Sequence, residues 1–187
     1  MNSKSHLRKI CLKKREIENK KFGSDCIDSE IFLKLITEIK LKQEVSTIGI
    51  YYPINSEISP LKIKNFSKNF SFETCLPIID KINDILIFEK YEEHDKLLKN
   101  NYGVFEPVKR NEVIPEVIFV PMVGFDKKLN RLGYGKGYYD KTISKLRKTK
   151  KLFVIGLAYD NQKLDHIPVE DHDKKMDLVL TEKNIYN

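Results

Sequence analysis

The chain has no tryptophan, only three cysteines, and no apolar run that approaches the roughly 18 residues of a membrane-spanning helix. Its first 21 residues are charged throughout and lack the apolar core of a secretory signal. The cysteines, Cys11, Cys26 and Cys75, cannot all pair in disulfides and do not have the spacing of a metal site. We therefore expect no membrane partner and a cytoplasmic location, because unpaired cysteines fit a reducing compartment.

Positive charge is unevenly distributed along the chain. The net charge is +7, and residues 1–21 alone carry eight Lys or Arg against two Glu, so the rest is close to neutral. A basic first helix can bind a small polyanion such as a nucleotide as readily as a nucleic acid. The aromatic residues do not alternate with Lys and Arg as in a base-stacking surface, so no nucleic-acid partner is expected. An RNA-binding protein remains the alternative, and a steep salt dependence of RNA affinity would distinguish it.

Glycine and proline are also sparse, and the segments between them alternate between helical and strand-like patterns. The apolar periodicity predicts helices over residues 3–20, 28–42 and 60–68. Strands are predicted over residues 47–52, 72–76, 85–89, 118–120, 153–158 and 178–180. Two of them, 118–120 and 153–158, are nearly continuous apolar runs, which is typical of parallel strands buried on both faces. The alternation predicts an α/β fold with helices on both sides of the sheet, and no linker or repeat divides the single domain of residues 1–187.

The first helix has a narrow apolar stripe and an opposite charged face. The stripe residues are Leu7, Ile10, Cys11 and Ile17. The charged face holds Lys4, Arg8, Lys13 and Arg15.

Ligands of parallel sheets gather beyond the carboxyl ends of the strands. The predicted strands end at Tyr52-Pro53, Leu76-Pro77, Pro121 and Tyr159-Asp160. We expect the loop residues that follow these ends to face a common crevice.

The most informative segment is residues 131–140, Arg-Leu-Gly-Tyr-Gly-Lys-Gly-Tyr-Tyr-Asp. Three glycines alternate here, after an apolar run and before a helical segment over residues 138–148. Glycines allow the backbone to approach a ligand closely, and free N–H groups at a helix start attract anions. Arg131 and Lys136 add positive charge, and Asp140 can hold a metal on the same phosphates. The spacing is neither that of Walker A nor that of the dinucleotide motif, and a plain helix-start turn is the alternative to a phosphate site.

Two other segments hold candidate ligand-binding residues. Glu57 follows the first predicted strand and can accept hydrogen bonds from a ligand rich in N–H donors. A carboxylate that caps a helix before Pro60 is equally compatible with the pattern. The turn over residues 102–107 contains an aromatic residue and Glu106, but a solvated loop is the favoured interpretation.

Four polar residues near the C-terminus are of types that can bind metal ions. Asp173 and Asp177 can ligate a hard cation beside a nucleotide, although an acidic surface patch is the commoner arrangement. His166 and His172 lack the spacing of a metal pair and are predicted to be surface residues. No Ser, Cys or Thr has the setting of a nucleophile, and Cys75 is predicted to lie in the core.

Taken in order, these residues resemble the 5-formyltetrahydrofolate cyclo-ligase family, the 5,10-methenyltetrahydrofolate synthetases. The most specific matches are Val120-Pro121, Phe125-Asp126 and residues 131–140. The supporting matches are Lys4 to Arg8, Tyr52 with Glu57, Gly103 to Pro107, Gly156 to Ala158, and Pro168 through Asp173 to Leu180. The sequence departs from the family at residues 127–130, where many relatives carry a glycine before the arginine. We expect Asn130 to take the left-handed conformation there.

The resemblance implies a fold and a reaction. The fold is a three-layer α/β/α arrangement with a mostly parallel sheet, similar to the sugar-phosphate isomerase and CoA-transferase-like fold. The reaction converts 5-formyltetrahydrofolate and ATP, with Mg²⁺, to 5,10-methenyltetrahydrofolate, ADP and phosphate through a phosphorylated formyl group. The implied partners are therefore 5-formyltetrahydrofolate and ATP, and we expect a monomer.

The resemblance also implies roles for individual residues. The ATP-binding positions are Lys4, Ser5, His6, Leu7, Arg8, Arg131, Leu132, Gly133, Tyr134, Gly135, Lys136, Gly137, Tyr138 and Tyr139. The folate-binding positions are Tyr52, Glu57, Tyr134, Gly135, Lys136, Gly137 and Tyr138. Asp140 and Asp173 match metal positions, and Arg131 and Lys136 are the catalytic candidates.

Related α/β folds also host phosphosugar isomerases and acyl-CoA transferases, because fold alone does not determine function. The sequence shows neither a clear catalytic carboxylate pair for the isomerase nor a credible glutamate nucleophile for the transferase. These activities remain the alternatives among enzymes.

Overall fold

The computed structural model describes residues 3–92, 94–108 and 111–187. The α-helices are α1 (Lys4–Phe22), α2 (Ser29–Lys42), α3 (Ser67–Phe70) and α4 (Tyr138–Thr149), and short 3-10 helices span Leu61–Phe66 and Asp160–Gln162. The strands are β1 (Thr47–Gly49), β2 (Glu73–Asp80), β3 (Ile85–Lys90), β4 (Leu97–Lys99), β5 (Phe105–Pro107), β6 (Glu112–Val113), β7 (Val117–Pro121), β8 (Gly124–Asp126), β9 (Arg131–Leu132), β10 (Phe153–Leu157), β11 (Lys163–Leu164), β12 (Leu178–Leu180) and β13 (Ile185–Tyr186).

An eight-stranded sheet with the order β13-β12-β10-β7-β1-β2-β3-β6 forms the centre of the structure. Strands β12, β10, β7, β1 and β2 run parallel to one another. Strands β13, β3 and β6 are antiparallel and lie toward the two edges. The two apolar runs predicted to be buried parallel strands became β7 and β10, which pair with each other, so that prediction is confirmed.

Helices cover both faces of this sheet. Alternate side chains of β7 point to opposite sides, so Phe119 packs edge-on against Phe32 of α2, with ring centroids 5.9 Å apart. Ile118 packs on the other face in a cluster that contains Ile143 of α4. All four side chains are buried, and each stabilises the fold by about 1.5–3 kcal/mol relative to an exposed position. The predicted three-layer α/β/α fold is confirmed.

Helix α1 packs beside the sheet against a smaller three-stranded sheet of β11, β8 and β9. Ser3 caps α1 by accepting a hydrogen bond from the His6 amide. Leu7 and Cys11 are buried as expected, but Ile17 is 62% exposed. Arg15, assigned to the polar face, is 2% exposed. The correction follows from helical geometry, because Arg15 lies one turn beyond Cys11 on the buried face.

The solvated loop predicted over residues 102–107 is correct for the exposed turn at its start and wrong for residues 105–107. Strand β5 pairs with β4 in a hairpin, and the ring of Phe105 packs against Tyr52 with centroids 4.7 Å apart. The Glu106 carboxylate accepts hydrogen bonds from the Ile79 amide at 3.1 Å and from Asn100 at 2.8 Å. These contacts fasten the hairpin to β2 beside the carboxyl end of β1.

The turn before β9 differs from the expectation for Asn130. Leu129, with φ 61°, is the residue in the left-handed region. Asn130 is buried and donates from its amide and side chain to Asp126, at 3.1 Å and 2.9 Å. The side-chain hydrogen bond to Asp126 holds Asn130 in place, and the left-handed conformation is taken by Leu129, one residue upstream.

Among the helices formed by the described residues, none has the length and apolar character needed to cross a membrane.

Candidate active site

A pocket of about 940 Å³ opens at the carboxyl ends of the central strands. Tyr52, Pro77 and Pro121, from or just beyond β1, β2 and β7, line it as the strand-end rule predicts. Tyr159, beyond β10, is not part of the pocket wall. Its hydroxyl donates to the Gly23 carbonyl and accepts from Asn19, both at 2.9 Å. The end of α1 therefore covers this strand end.

The glycine loop, residues 133–137, joins β9 to α4 and forms one wall of the pocket. Gly135 and Gly137 have φ values of 97° and 73°, which side-chain-bearing residues rarely adopt. Gly137 is the N-cap residue of α4, so the predicted helix start is confirmed. The first turn of a helix has free N–H groups and a positive dipole end. This wall therefore has the chemistry of an anion site.

The two cations of the glycine motif differ in mobility. Arg131 donates to Asp140 at 2.6 Å and lies 5.5 Å from the ring centre of Tyr139. Its buried Nε atom has no hydrogen-bond partner among the described residues. Lys136 is exposed on the pocket wall, and no ion pair with another described residue holds its ammonium group. Arg131 is fixed in place, whereas Lys136 is free to follow a ligand.

Helix α1 contributes Lys4 and Arg8 to the pocket. Lys4 donates to Glu170 at 2.8 Å and to Asp173 at 2.7 Å, and Arg8 donates from Nε to the Gly133 carbonyl at 2.7 Å. Burial lowers the pKa of Lys4, but the two carboxylates outweigh it and raise the pKa above its usual value.

The three residues between Lys4 and Arg8 do not line the pocket. Ser5 and His6 are exposed on the outer side of α1, and Leu7 packs into the core against Val123. Lys4 and Arg8 are four residues apart and share one helix face, so they are the two residues of the predicted ATP-binding segment 4–8 that line the pocket.

Asp140 and Asp173 both border the pocket. Asp140 accepts a hydrogen bond from the Lys174 amide at 3.0 Å, and Asp173 accepts one from the Glu170 amide at 2.8 Å. Burial raises the pKa of Asp173, but the hydrogen bonds from Lys4 and the Glu170 amide hold it below its usual value. Two carboxylates beside an anion site suit magnesium, which usually takes one or two protein carboxylates.

A bound cation has to compete with the existing partners of these carboxylates. Asp140 is paired with Arg131, and Asp173 is paired with Lys4. The described residues contain no group of three His, Cys, Asp or Glu side chains that could hold a metal by itself. The residues therefore fit a cation that gains its remaining ligands from phosphate oxygens and water.

Asp177, the other acidic candidate near the C-terminus, does not belong to the pocket. It pairs with Arg147 at 2.8 Å and accepts a hydrogen bond from the Val154 amide at 2.7 Å. Its carboxylate joins α4 to β10 at the surface, so Asp177 fits the commoner surface arrangement and not the cation role. His166 and His172 are exposed, as predicted, although His172 lies at the pocket edge.

Glu57 lies at the opposite end of the pocket and is 3% exposed. Its Oε2 accepts a hydrogen bond from the Ile54 amide at 3.0 Å. Burial raises the pKa of Glu57 above its usual value, and it outweighs the Ile54 amide, the charge of Arg15 and the Tyr134 hydroxyl, which lower that pKa. The helix-cap alternative is wrong, because Ser59 accepts the hydrogen bond from the amide at the start of the following 3-10 helix.

Sequence reasoning missed several residues on or beside the pocket. The hairpin residues Asn100, Tyr102 and Glu106 line it, although the turn composition alone favoured solvent. Arg15 lies behind Glu57, with Nη1 3.7 Å from Oε1. The signal for Arg15 was available, since residues 4, 8, 11 and 15 recur on one helical face.

The pocket thus has two chemically different halves. Cations, free amides and glycines form one half, and aromatic and aliphatic side chains with the buried Glu57 form the other. Cys11 and Cys75 are buried in core clusters away from the pocket wall. The arrangement suits two ligands, one anionic and one largely apolar, whose reacting groups are aligned by binding.

Comparison with known proteins finds one matching family and several relatives. A family model described as the 5-formyltetrahydrofolate cyclo-ligase family matches residues 1–182. A 5-formyltetrahydrofolate cyclo-ligase of Mycoplasma pneumoniae is 31% identical over 183 residues, which are 96% of this chain and 99% of the relative.

Two solved structures are similar in fold. The 5,10-methenyltetrahydrofolate synthetase from Mycoplasma pneumoniae has a TM-score of 0.71 at 28% identity, covering 97% of this chain and 99% of that chain. The NMR structure of the Aquifex aeolicus 5,10-methenyltetrahydrofolate synthetase has a TM-score of 0.71 at 28% identity, covering 97% and 91%.

Proposed function

The chain belongs to the 5-formyltetrahydrofolate cyclo-ligase family, and we propose that it makes 5,10-methenyltetrahydrofolate from 5-formyltetrahydrofolate, using ATP with Mg²⁺. The observation that carries the proposal is the two-part pocket. A cationic glycine loop faces one end of it, and a buried carboxylate lies among aromatic side chains at the other. ATP and a folate require these two kinds of surface in one cavity.

The cationic half is proposed to bind the nucleotide. Lys4 and Arg8 approach the glycine loop from α1, and Arg131 and Lys136 flank its glycines. Backbone N–H groups at the start of α4 add donors for phosphate oxygens. Asp140 and Asp173 are proposed to hold Mg²⁺, which supplies charge neutralisation to the phosphates when bound.

The apolar half is proposed to bind the folate. Tyr52 and Tyr138 provide aromatic surface, and Glu57 offers an acceptor to the N–H donors of the pterin ring. Tyr134 of the glycine loop contacts this half as well as the cationic half. Its position supports a shared wall between the two ligands.

The reaction asks the protein for alignment and charge neutralisation. The formyl oxygen attacks the γ-phosphorus of ATP, an O–P bond forms, and ADP leaves. The neighbouring anilino nitrogen then attacks the activated carbon and a C–N bond forms. The C–O bond breaks as phosphate departs, and the departing phosphate takes up the proton that the nitrogen loses. Lys136 and Arg131 neutralise the transferred phosphoryl group, and no protein nucleophile is required.

The direct test is incubation of the protein with 5-formyltetrahydrofolate, ATP and Mg²⁺ while the absorbance of the methenyl product is followed. Product should form only when all three components are present. Formation without ATP would contradict the phosphorylation step. RNA affinity that falls steeply with salt, in place of product, would favour the RNA-binding alternative.

We expect the double variant Lys4→Ala/Arg8→Ala to weaken ATP binding by about tenfold or more, because each lost cation removes a charge-assisted contact. Folate binding should change much less. Titration of each ligand by calorimetry measures both affinities. The matched control is Lys9→Ala/Lys13→Ala, which removes two exposed charges from the same helix at the same spacing. Equal losses for ATP and folate would remove α1 from the nucleotide site.

Asp140→Asn should raise the Mg²⁺ concentration needed for half-maximal turnover by about tenfold or more, since even outer-shell partners of a metal are worth that much. Turnover at saturating Mg²⁺ should also fall. The measurement is a Mg²⁺ titration of the steady-state rate. Asp177→Asn is the control, because it breaks a comparable arginine pair outside the pocket. An unchanged Mg²⁺ requirement would mean that Asp140 does not hold Mg²⁺ and only contacts Arg131 and the Lys174 amide.

A further inference from the structure

Arg15 is a buried cation behind the folate half of the pocket. It is 2% exposed, and its Nε donates to Ser56 Oγ at 3.0 Å while Nη2 donates to the Tyr134 hydroxyl at 2.6 Å. Nη1 has no hydrogen-bond partner within the part of the chain that the structure describes, and it lies 3.7 Å from Glu57 Oε1. Arg15 does not line the 940 Å³ pocket, so a ligand there does not touch it.

A buried guanidinium is costly, and a fold retains one only when its partners compensate for the lost hydration. The partners of Arg15 are Glu57 and Tyr134, which are both assigned to the folate, and the hydroxyl of Ser56. Tyr134 also interacts through its hydroxyl with Glu57, so Arg15, Tyr134 and Glu57 form one network. The guanidinium lies 5.6 Å from the centre of the Tyr134 ring, which adds a cation–π contact.

We propose that Arg15 is a positioning residue for the folate, which keeps Glu57 ionised and fixes the orientation of Tyr134 without touching the substrate. This inference rests on the proposed function, since it assigns the folate to Glu57. Glu57 can accept hydrogen bonds from the pterin with both oxygens only as a carboxylate. An unpaired carboxylate at this depth would take up a proton.

The other titratable groups that face Glu57 cannot replace Arg15. Burial raises the pKa of Tyr51 and Tyr139 far above neutral pH, and Glu57 raises both further. Burial raises the pKa of Tyr134 as well. These three groups are uncharged when the enzyme works. The positive charge acting on Glu57 comes from Arg15, because the other favourable contacts are hydrogen bonds from the Ile54 amide and the Tyr134 hydroxyl.

The test compares Arg15→Met with the wild type across pH. The acidic limb of kcat/KM for 5-formyltetrahydrofolate should move to higher pH by about one pH unit. At neutral pH the folate KM should rise about tenfold, the size expected for a lost charge-assisted contact, while the ATP KM changes less than about twofold. Arg15→Lys, which keeps the charge but not the forked geometry, should restore most of the pH profile.

The Glu57→Gln background separates positioning from general damage. If Arg15 acts through Glu57, adding Arg15→Met to Glu57→Gln should leave the acidic limb where the single Glu57 variant has it. A structural role predicts otherwise: both substrates would lose affinity together and the pH limb would stay in place. That outcome would overturn the proposal. Lys13→Met, which removes an exposed charge from the same helix, is the matched control.

A stability measurement tests the same network without any substrate. The pKa of Glu57 is raised in the folded protein, so the associated stability is present at low pH and lost as pH rises through the folded-state pKa. Removing Arg15 raises that pKa further. Arg15→Met should therefore lower the melting temperature more at pH 8 than at pH 5. An equal decrease at both pH values would overturn the electrostatic role, even for a protein without cyclo-ligase activity.

Discussion

Lys136→Ala should reduce turnover by about 100- to 1,000-fold while weakening ATP binding far less, the loss reported for one well-placed donor to developing charge. The γ-phosphoryl group moves and redistributes its charge in the transition state. Lys136 is exposed on the glycine loop and free of an ion pair with any other described residue. It can therefore follow that movement, and its contribution should be larger in the transition state than in the ATP complex. Steady-state turnover and ATP affinity, measured on the same variant, give the comparison.

The alternative for Lys136 is a structural turn residue. A surface substitution of that kind changes stability by no more than about 0.5 kcal/mol and leaves chemistry unaffected. Lys127→Ala is the matched control, because it removes the same charge from an exposed position in the turn that precedes the glycine loop. If Lys136→Ala and Lys127→Ala have the same turnover, the proposal that Lys136 acts in the chemical step is wrong.

The central fold could be predicted because its signals are local. Strands β7 and β10 are short, nearly continuous apolar runs, which are typical of strands buried on both faces. Helix α2 follows its cap Asp28 and buries Phe32, Leu35, Ile36 and Ile39, so the helix that periodicity predicted over residues 28–42 is confirmed. These patterns fix the element type before any long-range contact forms.

The errors occurred where a distant partner determines the local structure. The β4–β5 hairpin has a loop-like composition, and its position depends on the contact of Glu106 with the Ile79 amide of β2. Tyr159 follows a central strand, but the end of α1 reaches it through Asn19. Neither contact has a signature in the sequence near the residue concerned.

The positions of charged residues in the candidate site also depend on partners that are distant in the sequence. Asp173 and Asp177 lie four residues apart, yet Asp173 meets Lys4 at the pocket and Asp177 meets Arg147 outside it. Arg15 was assigned to a polar face although its helical spacing matched Cys11. A buried charged residue is unusual, but the sequence does not show whether a charged residue is buried. The buried pair of Arg15 and Glu57 could therefore be found only in the structure.

Gly135→Val should damage both ATP binding and turnover, and it should lower stability. The φ of Gly135 is 97°, and a β-branched residue held there costs roughly 1–3 kcal/mol. A Cβ atom at this position would also come within 3.2 Å of the Arg8 guanidinium, which donates to the adjacent Gly133 carbonyl. The side chain therefore displaces Arg8 and occupies the space that a phosphate needs next to the backbone. Melting temperature, ATP affinity and turnover should all fall in the same variant.

Gly23→Val separates backbone strain from loss of the anion site. Gly23 ends α1 with φ 74°, and an added Cβ atom there has no neighbour within 4 Å. This control should lose stability through the same kind of strain while its folded fraction keeps ATP affinity and turnover. If Gly135→Val resembles Gly23→Val in both activities, the glycine is needed only for the turn. If ATP affinity and turnover fall only in Gly135→Val, close approach of ligand to the loop is the physical reason for that glycine.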